Sequence, residues 1–242
     1  MFNWLKKSDR QNINPILVDI HSHLIPLIDD GVKSFDESVD IIIKFQKLGY
    51  KKIITTPHIM SDAYRNTPEI ILPKLAELNS TLQDKGIDVT VEAAAEYYLD
   101  EYFIKLVEAK NILTIGKNYL LFETNFLTEP FNLKEFIFLA TTKGYKPVLA
   151  HPERYLYLQN NKEKLQDLLD RGVLFQINIS SITGYYSKQV QQTAQKLIDW
   201  GWVHFLGSDC HHHQHIKLVE DAQQLRYFKK ALSLPLLNNS LL

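Results

Sequence analysis

Residues 16–31 read ILVDIHSHLIPLIDDG. A short apolar run, 16–20, ends in Asp19, His21 and His23. An apolar run of this length bounded by turn signals is the pattern of a buried strand. Side chains alternate along a strand, so His21 and His23 face the same side. The pair alone is a weak signal, because two polar residues often end a strand. Pro26 and Asp29-Asp30-Gly31 then break the chain before Ser34. Ser34 and Glu37 have capping-box spacing, and Phe35, Val39, Ile42, Ile43 and Leu48 recur at helical intervals up to Gly49. The stretch therefore reads as strand, loop, helix, with histidines at the strand's carboxyl end.

The same unit recurs along the chain. Strands are expected at 52–56, 88–94, 119–123, 146–150, 173–179 and 202–207. Helices are expected at 34–50, 68–85 (Pro73 kinking it), 99–108, 133–143, 162–171, 187–200 and 216–232. Alternation of strand and helix predicts a parallel sheet. Seven strands predict an α/β fold, a distorted seven-stranded (β/α) barrel; a doubly wound open sheet is the alternative. No linker, repeat or composition break divides residues 16–242, so one domain is expected after an extension over 1–15. Phe2, Trp4 and Leu5 suggest a short docking helix in that extension.

The ionisable residues fall at the strand ends. After His21 and His23 come His58, Glu96, Glu123, then His151 with Arg154, then Asp209 with His211. In a βα barrel these ends share one rim, where active sites form. Imidazoles and carboxylates without thiolates suit zinc, manganese or iron. Several acids in one pocket repel each other unless cations neutralise them, so more than one metal is expected. Such an arrangement is hydrolytic: the ions lower the pKa of a bound water, and the hydroxide attacks phosphorus or a carbonyl. Other residues keep plainer readings. His204 is expected as core or cover, His212, His213 and His215 as mostly solvated, and Tyr97, Tyr98, Tyr185 and Tyr186 as packing, with room for some of them to line a pocket mouth.

Composition narrows the classes. Lys plus Arg number 27 against 28 acids, for a net charge of −1, so there is no global basic field for nucleic acid. One cysteine, Cys210, excludes a disulfide framework and fits a reducing compartment. No stretch reaches the roughly 20 apolar residues of a membrane span, and no secretory signal is legible. A cytoplasmic protein without membrane insertion is expected. Cys210 lacks the following Arg of thiolate phosphatases, and Gly-x-Ser-x-Gly, Walker and dinucleotide loops are missing.

Taken together, His21-Ser-His23, Asp29-Asp30-Gly31, Thr56-Pro-His58, Ala95-Glu96, Leu121-Phe-Glu123, His151-Pro-Glu-Arg154 and Gly207-Ser-Asp209-Cys-His211 resemble the PHP (polymerase and histidinol phosphatase) superfamily. More narrowly, they resemble the manganese-dependent bacterial protein-tyrosine phosphatases of capsule and exopolysaccharide operons, the CpsB/CapC family. The likeness runs from about Val18 to His211, in order.

The resemblance implies a distorted barrel of the PHP type with two to three divalent ions at its C-terminal mouth, manganese by preference, iron or zinc as alternatives. His21, His23, Glu96 and Asp209 would hold one ion, Glu96 would bridge to a second with Glu123 and His151, and Asp30, His58 and His211 would hold the third. Choosing Asp30 over Asp29 is inherited from the family. Arg154 matches the family's phosphate-binding Arg, and His211 or His58 could donate a proton to the leaving group. The implied activity is phosphotyrosine hydrolysis on a protein, the tail of a bacterial tyrosine kinase that controls polysaccharide synthesis. The resemblance also allows self-association. Alternatives are a histidinol-phosphate phosphatase of the same superfamily and, more remotely, a metal-dependent amidase or deacetylase. The chain departs from the family in lacking a second Arg after Asp209-Cys-His211. Basic neighbours after His58 are displaced as well, leaving Arg65 as a candidate substitute there, and Lys217 or the extra histidines could complete the phosphate cradle.

Overall fold

The structure is a computed structural model and describes residues 15–242. The expected docking helix through Phe2, Trp4 and Leu5 lies outside them, as does the extension apart from Pro15.

Among the described residues nine short parallel strands form two sheets. β1 (Val18–Asp19), β2 (Lys52–Thr55) and β4 (Thr90–Ala93) make the first, with β2 central. The second runs in the order β3 (His58–Ile59), β5 (Glu96–Tyr98), β6 (Tyr119–Glu123), β7 (Lys146–Ala150), β8 (Leu174–Asn178), β9 (Phe205–Gly207).

Nine strands stand where seven were expected. β2 and β4 stand within the expected strands 52–56 and 88–94, and each is followed by a short strand that was not expected, β3 and β5. Pro57 has no N–H to give a ladder, and the next amide, His58 N–H, donates to Asp29 Oδ2 at 3.1 Å. Ala94 and Ala95 interrupt the neighbouring run at the same level, yet the paths stay adjacent: Ala94 N–H reaches Thr55 O and Glu96 N–H reaches Pro57 O. The run at 16–20 gives the ladder only two residues. Leu17 N–H donates instead to the Asn239 side chain at 2.8 Å. At the far edge β9 returns to β1 through a parallel bridge between Ser22 and Cys210.

The helices are α1 (Phe35–Lys47), α2 (Pro68–Asp84), α3 (Glu101–Ala109), α4 (Leu133–Thr142), α5 (Lys162–Asp170), α6 (Ile179–Thr183), α7 (Lys188–Trp200), α8 (His213–Ala222) and α9 (Arg226–Ala231). Ser34 caps α1 by accepting Glu37 N–H at 3.1 Å. Glu37 reaches back one residue further than a capping box, to Lys33 N–H. α2 runs unbroken through Pro73, which removes only one intrahelical bond so close to the N-terminus. The last expected helix is two, α8 and α9, and α6 was not expected at all.

Strand alternation divides the core. Leu120, Phe122, Leu149, Phe175 and Ile177 face the helices in the larger cluster. Val18, Ile20, Ile54, Leu121, Val148, Ala150 and Phe205 form a second cluster inside the curl of the sheets. Leu121 and Glu123 share a face of β6, so the last inward residue of that strand is a carboxylate at the mouth. Among the described residues no helix is long and apolar enough to cross a membrane.

Candidate metal centre

The strand ends bring nine predicted ligands to one mouth. Glu96, at the start of β5, is the hub. Its Oε2 lies 3.1 Å from His21 Nε2, 3.4 Å from His23 Nε2 and 3.2 Å from His58 Nδ1, and its Oε1 lies 3.0 Å from His151 Nε2. Glu123 stands 3.3 Å from His58 Nδ1 and 4.0 Å from His151 Nε2. Asp209 Oδ1 faces His21, His23 and His211 at 3.5, 3.6 and 3.4 Å. Asp30 faces His58 Nε2 at 3.6 Å and His211 Nε2 at 3.4 Å.

The choice between Asp29 and Asp30, open in the residues alone, is a matter of layers. Asp29 Oδ2 takes His23 Nδ1 at 2.8 Å as well as His58 N–H, and its Oδ1 takes Gly31 N–H at 2.9 Å. Its acceptors are occupied, and it turns His23 Nε2 inward. Asp30 is half exposed and points at two imidazoles. Gln176 does for His21 what Asp29 does for His23, accepting from Nδ1 at 2.8 Å. Such outer partners set tautomer and ring orientation in metal sites.

Asp209 is held from behind. Asn178 Nδ2, Tyr186 Oη and Arg154 Nη1 all donate to its Oδ2, at 2.6, 3.2 and 3.2 Å. Its Oδ1 is left for the centre. Asp209 and His151 both adopt positive φ, +51° and +36°. Each such conformation costs on the order of 1–3 kcal/mol and is common where function fixes the backbone. Beneath them, fully buried Asp19 takes Ser208 N–H and Ser208 Oγ–H at 2.8 and 2.7 Å, tying β1 to β9. Burial pushes the Asp19 carboxyl up to about 7.

Do these residues fit metal ions? Donors around an ion at about 2.0–2.2 Å stand roughly 3 Å apart, which is the spacing seen around Glu96. Ligand atoms of His23, Asp30, His58 and His211 lie within 4.8 Å of one another. So do those of His21, His23 and Glu96, of His21, His151 and Asp209, and of His58, Glu96 and Glu123. Nδ1 of His58 faces two carboxylates without hydrogen-bond geometry, and Nδ1 of His151 is buried without a partner. The donor set fits more than one divalent cation.

Electrostatics agree. Burial alone would lower His58, but Glu96 and Glu123 push it up to about 10. Burial likewise opposes Glu96 and Asp209 at His21, which rises to about 9. Burial would raise Glu96, yet His21 and His58 hold it well below the usual carboxylate range. Without cations, protons on the imidazoles balance the acids, and an arriving cation must displace them. A pH of about 7.5 lies below both raised values, so His21 and His58 are expected to carry protons in the ion-free centre. Loading is therefore expected to release roughly two protons, and affinity to climb as pH rises toward 9. Calorimetric titration in buffers of different ionisation heat measures this release; an identical heat in every buffer would contradict it.

The mouth opens into a cavity of about 430 Å³ lined by seven of these ligands, with the buried His21 and His23 outside the lining, and by Arg154, Tyr64, Phe126, Tyr186, His212 and His215. Arg65 is outside the lining; its Nε donates to Ser61 O at 2.7 Å. Lys217 pairs with Glu220 and Asp221, both at 3.0 Å, also outside. His215, expected in solvent, is buried, with Nδ1 3.0 Å from Asp209 O. Tyr186, expected as packing or at a pocket mouth, lines the cavity and bonds to Asp209. His204, just before β9, caps a neighbour as its Nδ1 accepts Phe175 N–H. Gln176 and Asn178 were missed, although two polar residues spaced by two in the otherwise apolar β8 were a usable signal.

Comparison with known proteins follows the same line. The family model described as capsular polysaccharide synthesis, CpsB/CapC, matches residues 17–230. A putative tyrosine-protein phosphatase CapC from Staphylococcus aureus is 31% identical over 196 residues, 81% of this chain and 77% of that protein. The tyrosine-protein phosphatase YwqE from Bacillus subtilis is 29% identical over the same shares. A crystal structure from work on YwqE and on CpsB of Streptococcus pneumoniae, described as metal-dependent tyrosine phosphatases, superposes with a TM-score of 0.78 at 27% identity, covering 86% of each chain. A histidinol phosphate phosphatase from Lactococcus lactis shares the fold at a TM-score of 0.51 and 14% identity, over 86% of this chain and 94% of its own. The match spans nearly all the described strands and helices together with every candidate ligand, and the chain belongs to the CpsB/CapC family.

Proposed function

We propose that the protein is a metal-dependent protein-tyrosine phosphatase that hydrolyses phosphotyrosine on a protein. One observation carries the reading: a single buried carboxylate, Glu96, faces four imidazoles within 3.4 Å, the signature of a bridging ligand in a multinuclear site. The names of its relatives supply the substrate class. His21, His23, Asp30, His58, Glu96, Glu123, His151, Asp209 and His211 would hold two to three divalent ions, manganese by preference. When bound, such ions supply Lewis-acid polarisation of the phosphoryl group and activation of water.

The chain's own groups account for the rest. Arg154 offers planar N–H donors suited to phosphate oxygens. Tyr64, Phe126 and Tyr186 give the cavity aromatic walls for an aryl group. His58 and His211 reach the cavity with part of each ring exposed and can protonate the leaving oxygen. A phenolate leaves readily, so that proton matters less than for an alkyl phosphate. We read the two sheets as one distorted seven-stave ring, β2 with β3 and β4 with β5 each counting once, closed by the Ser22–Cys210 bridge. Residues 16–242 are then one domain. The expected protein substrate is a cytoplasmic tyrosine kinase tail of polysaccharide export, in keeping with the family's description.

The test sets a phosphotyrosine peptide beside histidinol phosphate, with manganese added and after chelation. Hydrolysis of the peptide is expected to dominate, to stop on chelation and to return with metal. Preference for histidinol phosphate would overturn the substrate, and activity indifferent to chelation would overturn the metal centre.

A further inference from the structure

Arg154 lies over two aromatic rings. Its Cζ is 4.6 Å from the centroid of Phe126 and 4.3 Å from that of Tyr186. The rings come from different walls: Phe126, in the loop after β6, packs on His151 and Tyr155, and Tyr186, in the turn before α7, packs on Tyr185. One end of the guanidinium is fixed as well, since Nη1 donates to Asp209 Oδ2. Tyr186 Oη donates to that same oxygen. About a quarter of the Arg154 side chain stays exposed, at the cavity.

This arrangement solves a physical problem. A long Arg side chain is rotationally free, and ordering it on ligand arrival weakens binding. Two π-systems set against the guanidinium attract the cation and restrict its rotation. One bond to Asp209 would not hold it by itself, because that contact alone permits rotation about the donor.

We propose that Phe126 and Tyr186 are positioning residues that hold Arg154 as a preformed fork for a phosphoryl group. Phosphate affinity then depends on two rings that act through Arg154 rather than on the phosphate. The inference rests on the phosphatase reading for the role of Arg154, but its test does not require turnover.

The test uses the full chain loaded with manganese and measures binding of inorganic phosphate by calorimetry. Metal content is measured alongside. The variants are Phe126→Leu, Tyr186→Leu, Tyr186→Phe, Arg154→Ala and the double variant of Phe126→Leu with Arg154→Ala. Each Leu variant is expected to weaken phosphate binding roughly 3- to 30-fold with metal content kept. Tyr186→Phe, which keeps the ring, should weaken it less than Tyr186→Leu. In the Arg154→Ala background, Phe126→Leu should add less than about twofold, because its partner is gone. For substrate, KM should rise more than kcat falls. Unchanged phosphate affinity in both Leu variants would overturn the proposal. A full Phe126→Leu effect without Arg154 would overturn it too, since the ring would then touch the ligand itself. Loss of metal in the Leu variants would assign the rings to the metal centre instead. If the wild-type protein binds phosphate through Arg154 but hydrolyses no phosphotyrosine peptide, the function falls and the fork stands.

Discussion

Glu96→Gln is expected to lower kcat/KM for a phosphotyrosine peptide by about 10³-fold or more while leaving the protein folded. The substitution keeps the shape of the side chain and removes its charge. Both oxygens of Glu96 face imidazole nitrogens, three at Oε2 and one at Oε1. An amide must turn its N–H₂ toward one of these pairs, where a cation would sit. Bound metal should fall by at least one equivalent. In the metal-free protein, loss of the carboxylate removes a principal support of the raised His21 and His58, so fewer protons should be released on loading. Metal analysis and steady-state kinetics on the purified variant check this. Full metal occupancy with activity within tenfold of the wild type would remove Glu96 from the centre.

Gly31→Ala is expected to destabilise the protein by about 2–4 kcal/mol, a drop in Tm of roughly 5–15 °C. A Cβ there would lie 2.2 Å from His23 O, 2.6 Å from His23 Cβ and 2.9 Å from Asp29 Oδ1. Backbone and ligand cannot both give way. His23 would shift, and its bond to Asp29 with it, so metal affinity should fall together with stability. Gly49→Ala is the control. Nothing lies within 4 Å of a Cβ at Gly49, and only its φ of +97° opposes the change, at a cost of about 1–2 kcal/mol. Thermal melts of both variants, with and without manganese, separate crowding from conformational strain. A Gly31 variant as stable as the Gly49 variant, with normal metal binding, would show that the loop 24–31 can open away from His23.

The parts of the site that lay in the sequence are those that strand direction alone decides. His21, His23, Glu123, His151 and Asp209 each follow an apolar run, and parallel strands put all such ends on one side. That inference needs no knowledge of which strand neighbours which. The helix cap at Ser34 was legible for a similar reason, since a cap is a local bond between residues three apart. The breaks at Pro57 and at Ala94-Ala95 were harder. A proline signals a lost donor, but whether the strand ends or continues beside its neighbour depends on partners elsewhere in the chain.

The inner and outer layers of the centre were decided only by tertiary structure. Asp29 and Asp30 are adjacent and chemically identical; one is saturated by His23, His58 and Gly31, and the other is open. Gln176, Asn178 and Tyr186 matter through bonds to residues 23 to 155 positions away. Arg154 was legible as a cation near a strand end, but the rings around it come from two other loops. The sequence by itself determined which residue types end each strand, and hence the chemistry of the mouth. Only the tertiary structure decided which of them meet. Hydrogen bonds and ring contacts act over 3 to 5 Å, and chain separation of a hundred residues carries no information about distances that short.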